Sequence, residues 1–343
     1  MSVSVIQYGL GDIGQEIVKL LLSKKGFRLL GAIDVDPGKV GRELGQLLKS
    51  EEKIGFQVTD DQELPLSLNP DLVLHSTGSH LEDIYPQLES CLRAGADVIS
   101  TAEELSYPFL RGPEKARSLD ELAKANDASI LGTGINPGFI MDYLPLSLSG
   151  PTQKINSIFV RRIQDASLRR RPLQRKIGVG LDKEDFQKEV AEQGGHVGLA
   201  ESAALIGSGL GLEFSEISEE IEPVVAEKGR VTDFFQVEPG QVSGIKQKAI
   251  ARLDGEEFLT LDLRMYLDPP RQQDYVKIRG VPEMEVEISG GTHGDLATPA
   301  VVVNSIPQIL KAAPGLQTVL SLPPPAYYED VAGRGKELTE LIP

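Results

Sequence analysis

A short apolar run, Val3 to Tyr8, breaks at Gly9-Leu10-Gly11-Asp12-Ile13-Gly14, and Ile13, Ile17, Leu20 and Leu21 then recur at helical spacing. Strand, tight turn and helix in that order restrict the possible folds more than any other feature of the chain. A second run, Phe27 to Ile33, ends at Asp34, an acid about 20 residues beyond the last glycine, which completes a dinucleotide-binding fingerprint. Gly9 permits the turn, Gly11 lets backbone approach a pyrophosphate, and Gly14 lets helix and strand pack closely. The helix N-terminus, with Asp12 and Ile13 in its first turn, faces the phosphate charge. Asp34 is placed to bind ribose hydroxyls and to repel a 2′-phosphate, favouring NAD over NADP, although Lys39 and Arg42 stand near enough in sequence to weaken that preference. The plainer alternative is a structural glycine turn.

Strand-like runs continue at Leu72 to His75, Asp97 to Ser100 and Ser129 to Gly132, with helix-like stretches near 81–94 and 114–126. Such alternation predicts an α/β fold, an N-terminal Rossmann domain whose doubly wound parallel sheet carries helices on both faces. Ligands of these sheets collect beyond the carboxyl ends of the strands. Besides the glycine loop, Asp34 and three longer segments end there: His75 to His80, Ser100 to Glu104 and Gly132 to Phe139. Ser76, Thr77 and Gly78, with Thr101 on the next strand end, lie where the nicotinamide half of a cofactor passes. Ser79-His80-Leu81-Glu82 also fits a capping box.

After about residue 150 the pattern becomes long alternating runs: Ile155 to Ile163, Val242 to Leu253, Phe258 to Leu267, Tyr275 to Val281 and Met284 to Ile288. These predict one open, mixed and largely antiparallel sheet, interrupted by a helical stretch at about 183–208. Thr298-Pro299 reads as N-cap and first-turn proline of a helix over 299–311 that ends at Pro314-Gly315 and returns to the first domain. Pro323-Pro324-Pro325 and the polar end after Glu329 read as a surface tail. The expected division is a Rossmann domain of 1–140 with the returning segment 296–343, and an α+β domain of 141–295.

The 343 residues suit two domains at roughly 150 each. A formal net charge of −16 is the wrong sign for a nucleic acid or an anionic membrane partner. No run reaches the roughly 18 apolar residues of a membrane span, and no basic stretch with an apolar region opens the chain. Cys91 is the only cysteine and shares an apolar face with Ile84, Leu88 and Leu92, so it reads as a buried small hydrophobe in a reducing, cytoplasmic setting. None of His75, His80, His196 and His293 has metal-ligand spacing to another, and no metal is expected.

Three further segments, Ser100-Thr101-Ala102-Glu103-Glu104-Leu105-Ser106-Tyr107-Pro108, Gly132 to Asp142 (GTGINPGFIMD) and Gly290-Gly291-Thr292-His293-Gly294-Asp295, are more specific than the glycine loop. With that loop they resemble the 2,4-diaminopentanoate dehydrogenases and the related native amine dehydrogenases over nearly the whole chain. The resemblance implies the architecture of dihydrodipicolinate reductase, with a substrate domain that also makes homodimer contacts. It implies NAD(P)-dependent oxidative deamination of an amine or diamino acid, reversible as reductive amination of a ketone with ammonia. The paired-histidine and Lys…Pro-Ser-Gly-Thr signatures of dihydrodipicolinate reductase itself are absent, which argues against that activity.

Hydride transfer from an amine carbon passes through an iminium, so the site needs negative charge near nitrogen and a group that exchanges a proton; a carboxylate supplies both. The resemblance matches this role to Glu104, with Glu103 beside it as a substrate contact and the second candidate for the role. The alternative is that Thr101-Ala102-Glu103-Glu104 is a capping box and Glu104 caps a short helix. Asn136 is placed to orient a substrate nitrogen or a carboxamide and Phe139 to wall an apolar pocket, against the alternative of an Asn-Pro-Gly turn with a core aromatic. His196 and His293, each flanked by glycine, are the substrate-pocket candidates among the histidines, the alternative being rings satisfied by backbone. A substrate carboxylate would find Arg161, Arg162 or the Arg169-Arg170-Arg171 run, the last reading better as a solvated loop. Two rivals keep the fold: an imine or amino-acid-pathway reductase that uses no ammonia, and a non-catalytic NAD-sensing protein.

Overall fold

The computed structural model describes residues 2–331. It divides into two compact units, one made by residues up to Ile135 with those from Asp295 onward, the other by Asn136–Gly294. Asn136 and Phe139 thus belong to the second unit.

The first unit opens with β1 (Val3–Tyr8), α1 (Asp12–Leu22), β2 (Phe27–Ile33), the short helices α2 (Leu44–Leu48) and α3 (Glu63–Leu66), and β3 (Leu72–His75). It continues through α4 (Leu81–Arg93), β4 (Asp97–Ser100), α5 (Pro113–Ala125) and β5 (Ser129–Gly132). The strands pair in parallel, with β1 between β2 and β3, then β4 and β5. The chain therefore winds one way from β1 to β2 and the other way from β3 onward. That reversal between β1 and β3 is the switch point at which such sheets take ligands. Both faces are covered, which is why β3 and β5 are buried along their whole length and read as continuous apolar runs. Ile84, Leu88, Cys91 and Leu92 of α4 pack with Val73, Val98 and Ile130, and a second cluster joins Leu10, Val18, Ala32, Leu44 and Leu48. Each buried Leu or Ile of this kind contributes about 1.5–3 kcal/mol relative to exposure. The Cys91 thiol is fully buried, and burial pushes it up to about 12.

The second unit holds α6 (Tyr143–Ser149), β6 (Lys154–Asp165), α7 (Arg171–Lys176), α8 (Lys183–Phe186), α9 (Leu199–Leu210), β7 (Glu216–Val225) and the small ribbon β8 (Arg230–Val231) and β9 (Gln236–Val237). Then come β10 (Val242–Leu253), β11 (Glu256–Tyr266), β12 (Gln273–Val281) and β13 (Met284–Ser289). One mixed sheet runs β13-β12-β6-β11-β10-β7, with β6 and β11 parallel and every other pair antiparallel. Helices α6 and α9 pack on it. Period-two alternation on β6 buries Ile158, Val160, Arg162 and Gln164 and leaves Phe159 and Arg161 on the opposite face. β7 was not foreseen, because its Glu-rich sequence hides the alternation.

The expected helix over 183–208 is broken. A π turn over Gln187–Ala191 follows α8, and α9 begins only at Leu199. Gly194, Gly195 and Gly198 have φ of +84°, +63° and +112°, a left-handed backbone that no helix can continue through.

The returning segment comprises α10 (Gly294–Asn304), α11 (Ile306–Ile309) and β14 (Gly315–Gln317). α10 starts five residues before Pro299, so Thr298 is not its N-cap and Pro299 lies inside it. The start is set upstream, where Gly290 and Gly291 at φ +79° and +63° turn the chain straight out of β13. α11 packs on β4 and β5, and β14 adds to the sheet edge in parallel with β5. Pro323 and Pro324 are exposed, as expected, but Tyr328, between them and the polar end, is buried: its hydroxyl donates to Val303 O at 2.8 Å, and Lys24 Nζ donates to its carbonyl at 2.6 Å. The expected tail beyond Val331 lies outside the described residues. Among those residues no helix is long and apolar enough to cross a membrane.

Candidate active site

The glycine loop shows three different demands. A Cβ on Gly14 would sit on the Gly9 carbonyl, and one on Gly9, already at φ +91°, would come within 2.5 Å of Ser76 O. Gly11, the N-cap of α1, is unlike both: a Cβ there meets nothing within 4 Å, and no side chain caps the helix. Open space before uncapped amide groups fits a pyrophosphate. Asp12 is exposed and Ile13 half-buried in that first turn. Asp34 accepts from Leu10 N at 2.7 Å and Asp36 N at 2.8 Å and pairs with Lys39 Nζ at 3.1 Å, so the acid expected to face a ribose also braces the loop. Gln7, buried within β1, donates to Gly9 O at 2.8 Å and to Ser76 Oγ at 2.9 Å. Its polarity inside an apolar strand was the one available signal for this support.

Beyond β3 and β4 a second network assembles. His75 is fully buried, with Nδ1 2.9 Å from Ser100 Oγ and Nε2 2.8 Å from Gln87 Oε1, while the exposed Thr77 donates to the same Gln87 oxygen at 2.6 Å. Burial lowers its pKa to about 4, and the Gln87 bond only partly opposes that, so the ring is neutral at ordinary pH. Thr101 N donates to His75 O at 3.0 Å, which brings Thr101 beside Ser76 and Gly78 at the carboxyl edge of the sheet.

Glu103 and Glu104 follow on a 3-10 turn, Glu103–Ser106. Gly132 allows the turn to lie there, because a Cβ on β5 at that point would overlap the Leu105 carbonyl group. Neither anticipated capping box forms. Ala102 is the N-cap of the turn and His80 that of α4, without side-chain cap bonds. Instead Glu104 caps α4 from outside: Oε2 accepts from Leu81 N at 2.7 Å, and Oε1 stands 2.9 Å from His80 Nδ1. The carboxylate is 14 % exposed and lines a cleft of about 450 Å³ with Glu82, Pro108, Arg111, Glu114 and Lys115. Thr133, at the end of β5, buries an Oγ1 without a hydrogen-bond partner, a feature the sequence did not single out.

In the second unit, Asn136 precedes a cis-proline turn, and its buried Oδ1 has no hydrogen-bond partner, as an acceptor held for a ligand would be. Asp142 fixes this turn, accepting from Gly138 N at 2.8 Å, Tyr143 N at 2.7 Å and Ser202 Oγ at 2.8 Å. Burial raises its pKa, opposed by those three donors. Phe139 stacks on Tyr143 with centroids 6.1 Å apart. His196 sits in the loop before α9, its N–H donating to Gln247 Oε1 at 2.7 Å. His293 is held elsewhere, just before α10, where Arg162 donates to Asp274 at 2.6 Å and to Thr292 O at 2.7 Å. Asp274 completes the clamp by accepting from Thr292 N at 2.8 Å.

The arginines depart from expectation. Arg162 is 3 % exposed and committed to Asp274, and Arg161 pairs with Asp262 at 2.8 Å, so neither waits for a substrate carboxylate. Arg169 is buried against Gly294 rather than solvated. Such ties join residues more than a hundred positions apart and leave no local pattern.

With this geometry in place, comparison with known proteins is informative. The family model described as the 2,4-diaminopentanoate dehydrogenase C-terminal domain matches residues 139–336. Over 336 residues the chain is 33% identical to 2,4-diaminopentanoate dehydrogenase of Acetoanaerobium sticklandii, covering 94% of both sequences. It is 24% identical over 353 residues to an amine dehydrogenase of Streptomyces virginiae, covering 94% of this chain and 96% of that one. The structure of an amine dehydrogenase from Mycobacterium smegmatis shares the fold with a TM-score of 0.88, at 24% identity over 96% of this chain and 98% of that one. A family model spanning more than half the sequence, and a relative aligned almost end to end, place the chain in the 2,4-diaminopentanoate dehydrogenase family.

Proposed function

We propose that the protein is an NAD(P)-dependent amine dehydrogenase that converts an amine or diamino acid, with water, to a ketone and ammonium, and runs in reverse as reductive amination. The observation that carries the reading is the placement of Glu104 at the same carboxyl edge of the parallel sheet as the glycine loop. The nicotinamide, when bound, supplies the hydride acceptor or donor. Gly11 and the first turn of α1, with Asp12 and Ile13, hold the pyrophosphate. Ser76, Thr77, Gly78 and Thr101 line the way to the nicotinamide half. Asp34 takes the ribose hydroxyls; a 2′-phosphate next to this nearly buried carboxylate is repelled, which favours NAD. Lys39 offsets part of that repulsion and leaves NADP usable.

Glu104 accepts a proton from the substrate ammonium and stabilises the positive iminium nitrogen. The Leu81 N–H and the His80 ring hold it in one place, so little reorganisation is needed as charge develops. Glu103 contacts the substrate beside it. For the second unit the same reading assigns substrate contact to Asn136, Phe139, His196 and His293. Two copies associate as a homodimer through the β6–β12 sheet face, where Phe159 and Tyr275 are flanked by Arg271, Lys277, Glu285 and Glu287, a self-complementary set of charges.

The test is oxidation of NADH and, in parallel, NADPH with a panel of ketones and 4-oxo amino acids, with and without ammonium. Ammonium-dependent turnover is expected. Turnover without ammonium would replace the reading with an imine or carbonyl reductase, and cofactor binding without turnover on any substrate with a sensor.

A further inference from the structure

The two groups that hold Glu104 differ in kind. The Leu81 amide cannot carry a proton away, whereas an imidazole ring nitrogen can take a proton and give one. The His80 side chain is 50 % exposed against 14 % for Glu104, so the 2.9 Å contact from Oε1 to Nδ1 joins an enclosed carboxylate to an open ring. His80 is the N-cap residue of α4, yet its side chain makes no cap bond. The ring is therefore neither a packed core histidine nor a helix cap.

We propose that His80 is the proton exit of the site, relaying protons between Glu104 and bulk water. The inference rests on Glu104 as the proton acceptor. Deamination turns a substrate ammonium, an oxidised cofactor and water into a ketone, ammonium, reduced cofactor and one proton, and that proton has to leave. An N–H bond of the substrate breaks as an O–H bond forms on Glu104. That O–H bond then breaks as an N–H bond forms at His80 Nδ1. The imidazolium gives its Nε2 proton to water, and exchange of the remaining ring proton with water at the half-exposed ring returns the tautomer with Nε2–H and a free lone pair at Nδ1. Reductive amination uses the same path inward. The charged groups around the pair are Glu82 and Asp83 in the first turn of α4, and Arg111, Glu114 and Lys115 across the cleft, with Lys115 ion-paired to Glu82.

The test measures NADH formation and proton release together in a single turnover of the full chain, with an indicator dye, for the wild type, His80→Asn and His80→Gln. Asn keeps an N-cap residue on α4, so fold and relay are separable, and thermal melting checks this. In the wild type the two signals coincide. In both variants proton release is expected to lag NADH formation by about tenfold or more, with NADH affinity and amine KM changed less than about threefold, and added imidazole is expected to restore it. Coincident signals in both folded variants, with no dependence on imidazole, overturn the relay. Glu104→Gln separates the two readings: if it retains full turnover, the Glu104 assignment itself fails, whereas an inactive Glu104→Gln beside unaffected His80 variants leaves that assignment standing and removes only the relay.

Discussion

Glu104 and Leu81 are 23 residues apart in sequence and joined at 2.7 Å, carboxylate to backbone amide, across the space between a 3-10 turn and the first turn of α4. The bond gives the helix the cap that His80 lacks and gives the carboxylate a fixed position. The cap is a structural role and the proposed proton transfer a chemical one, and the two are separable by experiment.

Glu104→Ala removes both. Turnover is expected to fall by about 10²–10⁴ for loss of a positioned proton acceptor, and stability by about 1 kcal/mol for loss of a helix cap. Glu104→Gln keeps an oxygen for the Leu81 N–H and should recover most of the stability while remaining inactive. Melting curves beside steady-state amine oxidation check the split; a Gln variant that restores turnover refutes the chemical role.

Gly11 and Gly14 make opposite predictions for one added methyl group. At Gly14 it would overlap the Gly9 carbonyl, so Gly14→Ala should cost about 1–3 kcal/mol of stability. At Gly11 the backbone, φ −62° and ψ −177°, tolerates any residue and the space is open, so Gly11→Ala should fold with stability changed by less than about 0.5 kcal/mol. Its NADH Kd should nevertheless rise about tenfold or more, because the space is meant for phosphate. Calorimetric titration and melting of the two variants decide it.

Strands β1 to β5 of the first unit were readable to within a residue because parallel strands covered on both faces are largely apolar, and a glycine loop marks where the first one ends, whereas the three-residue edge strand β14 was hidden in what reads as a helix end. The bonds that orient the candidate side chains were not. Glu104 fits a local capping box, but its amide partner belongs to another helix, and sequence proximity cannot distinguish the two. The clamp from Arg162 to Asp274 spans 112 positions. The 183–208 stretch carries helical periodicity, yet three glycines in left-handed conformations overrule it, and Gln247 on β10 holds the resulting loop through His196.

The proposed cofactor preference rests on Asp34 and Lys39. Asp34→Asn removes the charge that repels a 2′-phosphate and leaves Lys39 paired with Asp36 alone, so the ratio of kcat/KM for NADPH over NADH should rise about tenfold or more. Lys39→Ala should move the ratio the other way. Initial rates with both cofactors at several salt concentrations check this, since an electrostatic preference weakens as salt rises.

The clamp behind His293 has a stability signature. Arg162→Met leaves Asp274 buried with only the Thr292 amide as a donor, and a broken buried pair costs about 3–5 kcal/mol. Replacing both, Arg162→Met with Asp274→Leu, should recover part of that loss in urea unfolding while amine KM stays raised, because Thr292 loses both of its side-chain partners.

His75 makes stability depend on pH with a definite sign. Its pKa is about 4 in the folded protein against 6.5 for the free side chain, so between those values the unfolded chain binds the extra proton. The stability of the neutral, buried ring is fully present above about pH 6.5 and is lost as pH falls toward 4, by a total on the order of 3 kcal/mol. Asp97 acts in the opposite sense over much of the same range: burial raises its pKa to about 6, so its contribution is present at low pH and is lost as pH rises through that value. The wild-type curve alone therefore mixes the two. The difference between wild type and His75→Gln isolates the histidine, since Asp97 is common to both. That difference should be flat above about pH 7 and should shift steadily against the wild type between about pH 6 and 4. Urea unfolding of both proteins across this range measures it, and a difference independent of pH would mean that His75 is not held neutral by its surroundings.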